Sequence, residues 1–216
     1  MAHHSGEKIT EGLDGLRERC MEYFALGARF AKWRAVIRIG DGMPRDANIS
    51  TNAHALARYA AICQEQGLVP IIEPEVLMDG KHDSQTCFEV TARILEPHLQ
   101  SVKFRVFYIP GGLLKPKMSY PEILRKPRNS RESSQMTVDC LTAHVPHELP
   151  REILFLSGGQ SDEDATAHLN LMNSMSVKHP WQLSYSYGRA LLHTLCKHGQ
   201  VVQMKRVRMR LLIERQ

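Results

Sequence analysis

Lys115 stands between Leu114 and Pro116 in the short apolar run GGLLKPKM (111–118). Proline has no N–H to give to a sheet ladder, so a strand through Leu113 and Leu114 should stop at this lysine. Read alone, Lys115 is either a solvated strand end, since lysine is seldom buried unpaired, or an amine desolvated to act as a nucleophile. Four further runs carry polar chemistry. Lys32 and Arg34 are two residues apart in FAKWRAVI (30–37), and Glu73 and Glu75 are two apart in LVPIIEPEV (68–76). Strand side chains alternate faces, so each pair projects to one side. EILFLSGG (152–159) ends in Ser157-Gly158-Gly159, and QLSYSYGR (182–189) ends in Ser186-Tyr187-Gly188-Arg189.

The combination describes one kind of reaction. Cations beside a lysine, here Lys32 and Arg34, favour its free amine, and Glu73 and Glu75 supply carboxylates for proton transfer. A free amine condenses with a carbonyl to a Schiff base, which draws electrons from the adjacent carbon and opens carbon–carbon bond chemistry. Glycines before helix starts leave backbone N–H groups open to a phosphate, and Arg189 adds a charge-assisted contact. A phosphorylated ketose is the substrate these groups suit. That gathering of groups selects the nucleophile reading of Lys115.

These groups need a scaffold that brings strand ends together. The five apolar runs recur about 30 to 40 residues apart, separated by helical patterns. Alternating strands and helices predict βα units on a parallel sheet, and chemistry at successive strand ends fits the active face of a barrel. Leu13, Leu16, Cys20 and Tyr23-Phe24 give a helical spacing closed by Gly27. Leu56, Tyr59, Ala60 and Cys63 give another before Gly67. Ser161 with Asp164 resembles a capping box for a helix to about Met175, and Gly199 falls where a helix from near Gly188 would end. The Pro-, Arg- and Ser-rich stretch 119–134 reads as a long mobile loop.

Composition bounds the rest. At 216 residues with 43% hydrophobic and 24% charged residues, the chain reads as one globular domain over 1–216. No apolar run reaches the ~18–20 residues that span a bilayer, so no membrane association is expected. MAHHSGEKIT lacks the apolar core of a signal peptide. Five scattered cysteines without a CxxC pair read as reduced thiols of a cytoplasmic protein with no metal site. His144 and His147 flank Pro146 and read as a loop rather than metal ligands. Lys205, Arg206, Arg208 and Arg210 alternate with Val202, Met204, Val207 and Leu211, which reads as a helix with a solvated basic face and not a nucleic-acid site. Trp33 and Trp181 read as packing residues, and Leu171–Met175 as helix core.

The segments FAKWRAVI, EPEVLMDG, LLKPKM, FLSGGQSDE and SYSYGRAL, with NAHALARYAAICQE and PRDANIS, resemble class I (Schiff-base) fructose-1,6-bisphosphate aldolases, in order from about Thr10 to Leu191. The resemblance implies an α/β fold, a partial TIM (β/α)8 barrel of about five parallel βα units matching the fourth to the eighth. It implies Lys115 as the Schiff-base nucleophile, Lys32 as an aid to carbinolamine chemistry, Glu73 as general acid/base and Glu75 as its supporting carboxylate. Arg34 resembles a ligand of the distal phosphate. Ser157, Gly158, Gly159, Gly188 and Arg189 match the proximal phosphate site, with Ser186 nearby. No metal or cofactor is implied. The family is commonly tetrameric, so a homo-oligomer is expected. An aspartate and a lysine of the family's first three strands have no counterpart here, and Lys117 replaces a usual asparagine, adding charge beside Lys115. Two functions stand: the aldolase, and a truncated, impaired relative keeping only sugar-phosphate binding or a protein-interaction role. The open sheet expected from five units would leave strands 30–37 and 182–189 as unpaired edges prone to self-association. It also predicts turnover at least ~100-fold below that of a complete relative.

Overall fold

A computed structural model describes residues 1–105, 111–119, 130–148, 151–175 and 179–188. Its elements run α1 (Leu16–Ala25), β1 (Phe30–Ile37), α2 (Asp46–Glu65), β2 (Val69–Val76), α3 (Ser84–Arg105), β3 (Leu113–Leu114), α4 (Ser130–His144), β4 (Glu152–Phe155), α5 (Asp162–Ser174) and β5 (Gln182–Tyr185). The five strands form one sheet in the order β1-β2-β3-β4-β5, and every neighbouring pair is parallel. Parallel neighbours require a crossover, and a helix fills each one. This is the α/β arrangement of successive βα units.

Each strand divides its side chains between two faces. Trp33, Ala35, Ile72, Leu114, Ile153, Phe155 and Leu183 pack into one core with Leu56, Tyr59, Leu95, Val138, Leu141 and Met172 of the helices. Trp33 and Trp181 are both buried, as packing residues should be, and so is Met172. Tyr59 fastens α2 to two strands at once. Its hydroxyl donates to the Ala31 carbonyl at 2.5 Å and accepts the Ile71 N–H at 3.2 Å. Cys20, Cys63, Cys87 and Cys140 carry free, buried thiols.

β3 is much shorter than the apolar run 111–118 suggests, and the neighbouring strand supplies the reason. The Lys115 N–H donates to the Ile72 carbonyl at 2.7 Å, so the even positions of β2 face β3. Two of those positions are Pro70 and Pro74, which offer no N–H. The ladder therefore holds only around Ile72. After Pro116 the chain touches β4 again through a single bridge, Lys117 to Leu156.

Two further expectations are amended. The stretch 119–134 is not loop throughout, because Ser130–Ser134 already lie in α4, where Ser133 and Ser134 are buried. The outer edge of β1 has no strand partner among the described residues, yet it is not bare: the Thr10 hydroxyl donates to the outward-facing Arg34 carbonyl. Gly12 lies against Trp33, and the Lys8 carbonyl accepts from Asn48 and Asn52 of α2. The expected helices beyond Gly188 lie outside the described residues. Ser161 caps α5 as expected, accepting the Asp164 N–H at 3.0 Å.

Candidate active site

The face of the sheet turned away from the main core carries the charges. In β1 the residues Lys32 and Arg34 remain exposed, while the alternating Trp33 and Ala35 are buried. They sit at the third and fifth positions of an eight-residue strand, so the expectation that they mark its C-terminal end is corrected. β1 continues through Ala35, Val36 and Ile37 because those residues pair fully with β2. In β2 Glu73 pairs in register with Arg34, and Glu75 with Val36. The Ile72–Leu114 pair then sets Glu73 opposite Lys115.

This register assembles a bridged triad. Glu73 Oε1 lies 3.4 Å from Lys115 Nζ, and Glu73 Oε2 lies 2.8 Å from Lys32 Nζ. One carboxylate thus stands between two ammonium groups. Glu73 and Lys115 are buried, and Lys32 is the half-exposed member. The like-charge contact expected at Lys115 is replaced by this shared counter-ion. Beside it, Arg34 Nε makes a very close hydrogen bond to Glu75 Oε2. That contact, with the Glu75 and Glu73 charges, holds the guanidinium still more firmly protonated. Each buried carboxylate thus has a cationic partner within ion-pair distance.

The loop after β4 lies beside the exit of β3. The Leu156 N–H donates to the Pro116 carbonyl at 3.3 Å, and Ser157, Gly158 and Gly159 follow. Gly158 has φ 60 and Gly159 φ 89, a left-handed pair that favours glycine. A Cβ on Gly158 would also meet Leu156, Met78 and Lys117 at 3.3 to 3.5 Å. The loop leads directly into the capped N-terminus of α5. Gly188, at the end of β5, has open space where a Cβ would project. The Ser186 N–H donates to the Phe155 carbonyl at 2.9 Å. Arg189 lies outside the described residues.

Two residues change the picture drawn from sequence. Lys117 does not add its charge beside Lys115. Its nitrogen reaches Cys87 Sγ at 3.7 Å, and only 3% of the residue is exposed. Gln160 was missed, although it braces the glycine loop. Its side chain donates to Met118 Sδ at 3.5 Å and meets His168 Nδ1 at 2.7 Å. A glutamine after two glycines carries no sequence signal of that role. The cavity of about 580 Å³ lined by Gly67, Leu68, Val69, Arg105 and Gly111 lies by the N-terminal ends of β2 and β3, away from these groups.

A sequence model described as fructose-bisphosphate aldolase class-I matches residues 1–215. The chain is 51% identical over 198 residues to "Probable fructose-bisphosphate aldolase class 1" of Xanthomonas campestris pv. campestris, covering 91% of this chain and 59% of that one. It is 48% identical over 197 residues to "Fructose-bisphosphate aldolase 6, cytosolic" of Arabidopsis thaliana, covering 91% of this chain and 55% of that one. Fructose-bisphosphate aldolase from Plasmodium falciparum, solved in complex with TRAP and a small-molecule inhibitor, superposes with a TM-score of 0.86 at 43% identity. The match covers 91% of this chain and 57% of that one. The chain therefore spans little more than half the length of these relatives. With its five parallel βα units and its lysine–glutamate–lysine cluster, it belongs to the class-I fructose-bisphosphate aldolase family.

Proposed function

We propose that this chain carries the Schiff-base chemistry of a fructose-bisphosphate aldolase, the reversible cleavage of fructose 1,6-bisphosphate to dihydroxyacetone phosphate and glyceraldehyde 3-phosphate. The observation that carries this reading is the single carboxylate of Glu73 shared by Lys115 and Lys32. Lys115 is the nucleophile. Glu73 takes a proton from its ammonium group, and the freed amine attacks the ketose carbonyl to give a carbinolamine. The same carboxyl, now protonated, gives its proton to the departing hydroxyl, so that water leaves and the iminium forms. Lys32 steadies the negative charge of Glu73 whenever the proton is elsewhere. In cleavage the C4 hydroxyl gives its proton to the Glu73 carboxylate and becomes the aldehyde carbonyl, while the C3–C4 bonding pair passes into the iminium to give an enamine on Lys115.

Phosphate recognition falls to both sides of this centre. Arg34 commits Nε to Glu75, and its remaining N–H groups are free to hold the distal phosphate. Glu75 fixes the guanidinium and supports the charge balance around Glu73. Ser157, Gly158 and Gly159, before the α5 N-terminus, form the proximal cradle. Ser186, Gly188 and Arg189 complete it from β5. Cations outnumber carboxylates here, as an anionic substrate requires. The full chain 1–216 acts as one domain in the cytoplasm, in keeping with the cytosolic plant relative, and self-associates as a homo-oligomer. Neither a nucleic acid nor a membrane is part of this reading.

Fructose 1,6-bisphosphate cleavage, followed by triose phosphate appearance, tests the reading. Product that forms with the chain and vanishes in Lys115→Met supports it. Calorimetric binding of the sugar phosphate without product, or without a Lys115 adduct, would reduce the chain to a binding relative.

A further inference from the structure

Lys117 sits two residues past the proposed nucleophile and takes no part in that chemistry. Its aliphatic stem packs under Gly158, and its nitrogen lies 3.7 Å from Cys87 Sγ in the first turn of α3. Among the described residues no carboxylate lies within ion-pair distance of it. Cys87 is fully buried among Ile37, Val76 and Ile94. The site therefore sets one amine against one thiol, desolvated together, with Cys140 beside the thiol and the Glu75 and Asp79 charges acting on the amine.

We propose that Cys87 and Lys117 form an oxidisable thiol–amine pair, which a hydroperoxide closes into a covalent Sγ–Nζ link. In the first step Cys87 sulfur attacks one oxygen of the hydroperoxide and the O–O bond breaks. The thiol proton leaves with the other oxygen, as water when the oxidant is hydrogen peroxide. Sulfur is oxidised by two electrons to a sulfenic acid, and the peroxide is reduced. In the second step the Lys117 lone pair attacks sulfur and the S–O bond breaks. Hydroxide leaves with an amine proton as a second water. The chain ends two hydrogens lighter.

Geometry and desolvation favour this partner over another thiol. Burial pushes the Lys117 ammonium below the usual lysine range, which increases the neutral, nucleophilic amine. The neighbouring thiol is Cys140, which touches the Phe88 carbonyl. Burial, with Cys87 beside it, pushes that thiol up to about 12, so it stays protonated and is a poor competitor. Hydrogen peroxide is little larger than water and reaches the sulfur by local opening of the glycine loop. The link would tie the start of α3 to the exit of β3, beneath Gly158. This inference is independent of aldolase activity.

The test treats the full chain with hydrogen peroxide, then counts free thiols after denaturation and maps its peptides. We expect the loss of one thiol and a cross-linked peptide pair joining Cys87 to Lys117, both reversed by dithiothreitol. Neither should occur in Cys87→Ser or in Lys117→Arg, which keeps a cation but loses the amine nucleophile. Cys140→Ser should still lose one thiol, which keeps the test decisive if Lys117→Arg fails to fold. Loss of two thiols with Cys87 joined to Cys140, a Cys87 sulfenic or sulfinic acid without a link, or an unchanged thiol count would each overturn the proposal.

Discussion

At the scale of single residues, the account rests on Glu73. A carboxylate 3.4 Å from one lysine and 2.8 Å from another can accept a proton from the first while the second stabilises its charge. Glu73→Gln keeps the shape and removes the base. We expect imine formation on Lys115 to slow by ~100-fold or more, and borohydride trapping rates would show it. An unchanged rate would assign the proton transfer to another group. The residue types of this centre were legible in the sequence, because Lys32, Arg34, Glu73, Glu75 and Lys115 could each be placed on a strand face. Their pairing was not. Alternation says which way a side chain leaves its own strand, but the register with the next strand decides that Glu73 meets Lys115. Lys117 shows the same limit, since its face was legible whereas its partner Cys87 comes from a helix some thirty residues away in the chain.

Elements carry the second part of the account. The long apolar-rich runs of β1 and β2 announce themselves by composition. β3 does not, because its length depends on Pro70 and Pro74 of its neighbour as much as on its own Pro116. The cap of α5 was readable from Ser161 and Asp164, since the interaction is local. Ser161→Ala should cost about 1 kcal/mol of stability by losing that cap. Tyr59→Phe should cost about 1–3 kcal/mol, because the hydroxyl serves both the Ala31 carbonyl and the Ile71 N–H in the core. Urea denaturation of both variants measures these losses. A Tyr59→Phe variant as stable as the parent would mean that the strands hold their register without that tie.

At the scale of the whole molecule, His98 is among the buried groups of the described residues that tie stability to pH. His98 is completely buried in α3, with Nδ1 against the Ile94 carbonyl, and burial pushes the imidazole down from 6.5 to about 4. The unfolded chain therefore binds a proton that the folded chain refuses between those values. Its contribution to stability is complete above pH 6.5 and falls by about 1.4 kcal/mol per pH unit as the pH drops toward 4. His98→Leu should flatten that slope in urea titrations, and an identical slope would assign it to other groups. At this scale the five-strand order was legible from the succession of βα units, whereas the covering of the β1 edge by Thr10 was not, since only the folded chain brings residues 8–12 alongside that strand. The relatives extend well beyond the length matched here, so the central question is whether this chain by itself makes a working amine. Incubation with dihydroxyacetone phosphate and borohydride, followed by peptide mass mapping, answers it most directly. The account predicts one reduced substrate adduct per chain, on Lys115, absent in Lys115→Met. No adduct under conditions where the phosphate binds, or an adduct on another lysine, would contradict it.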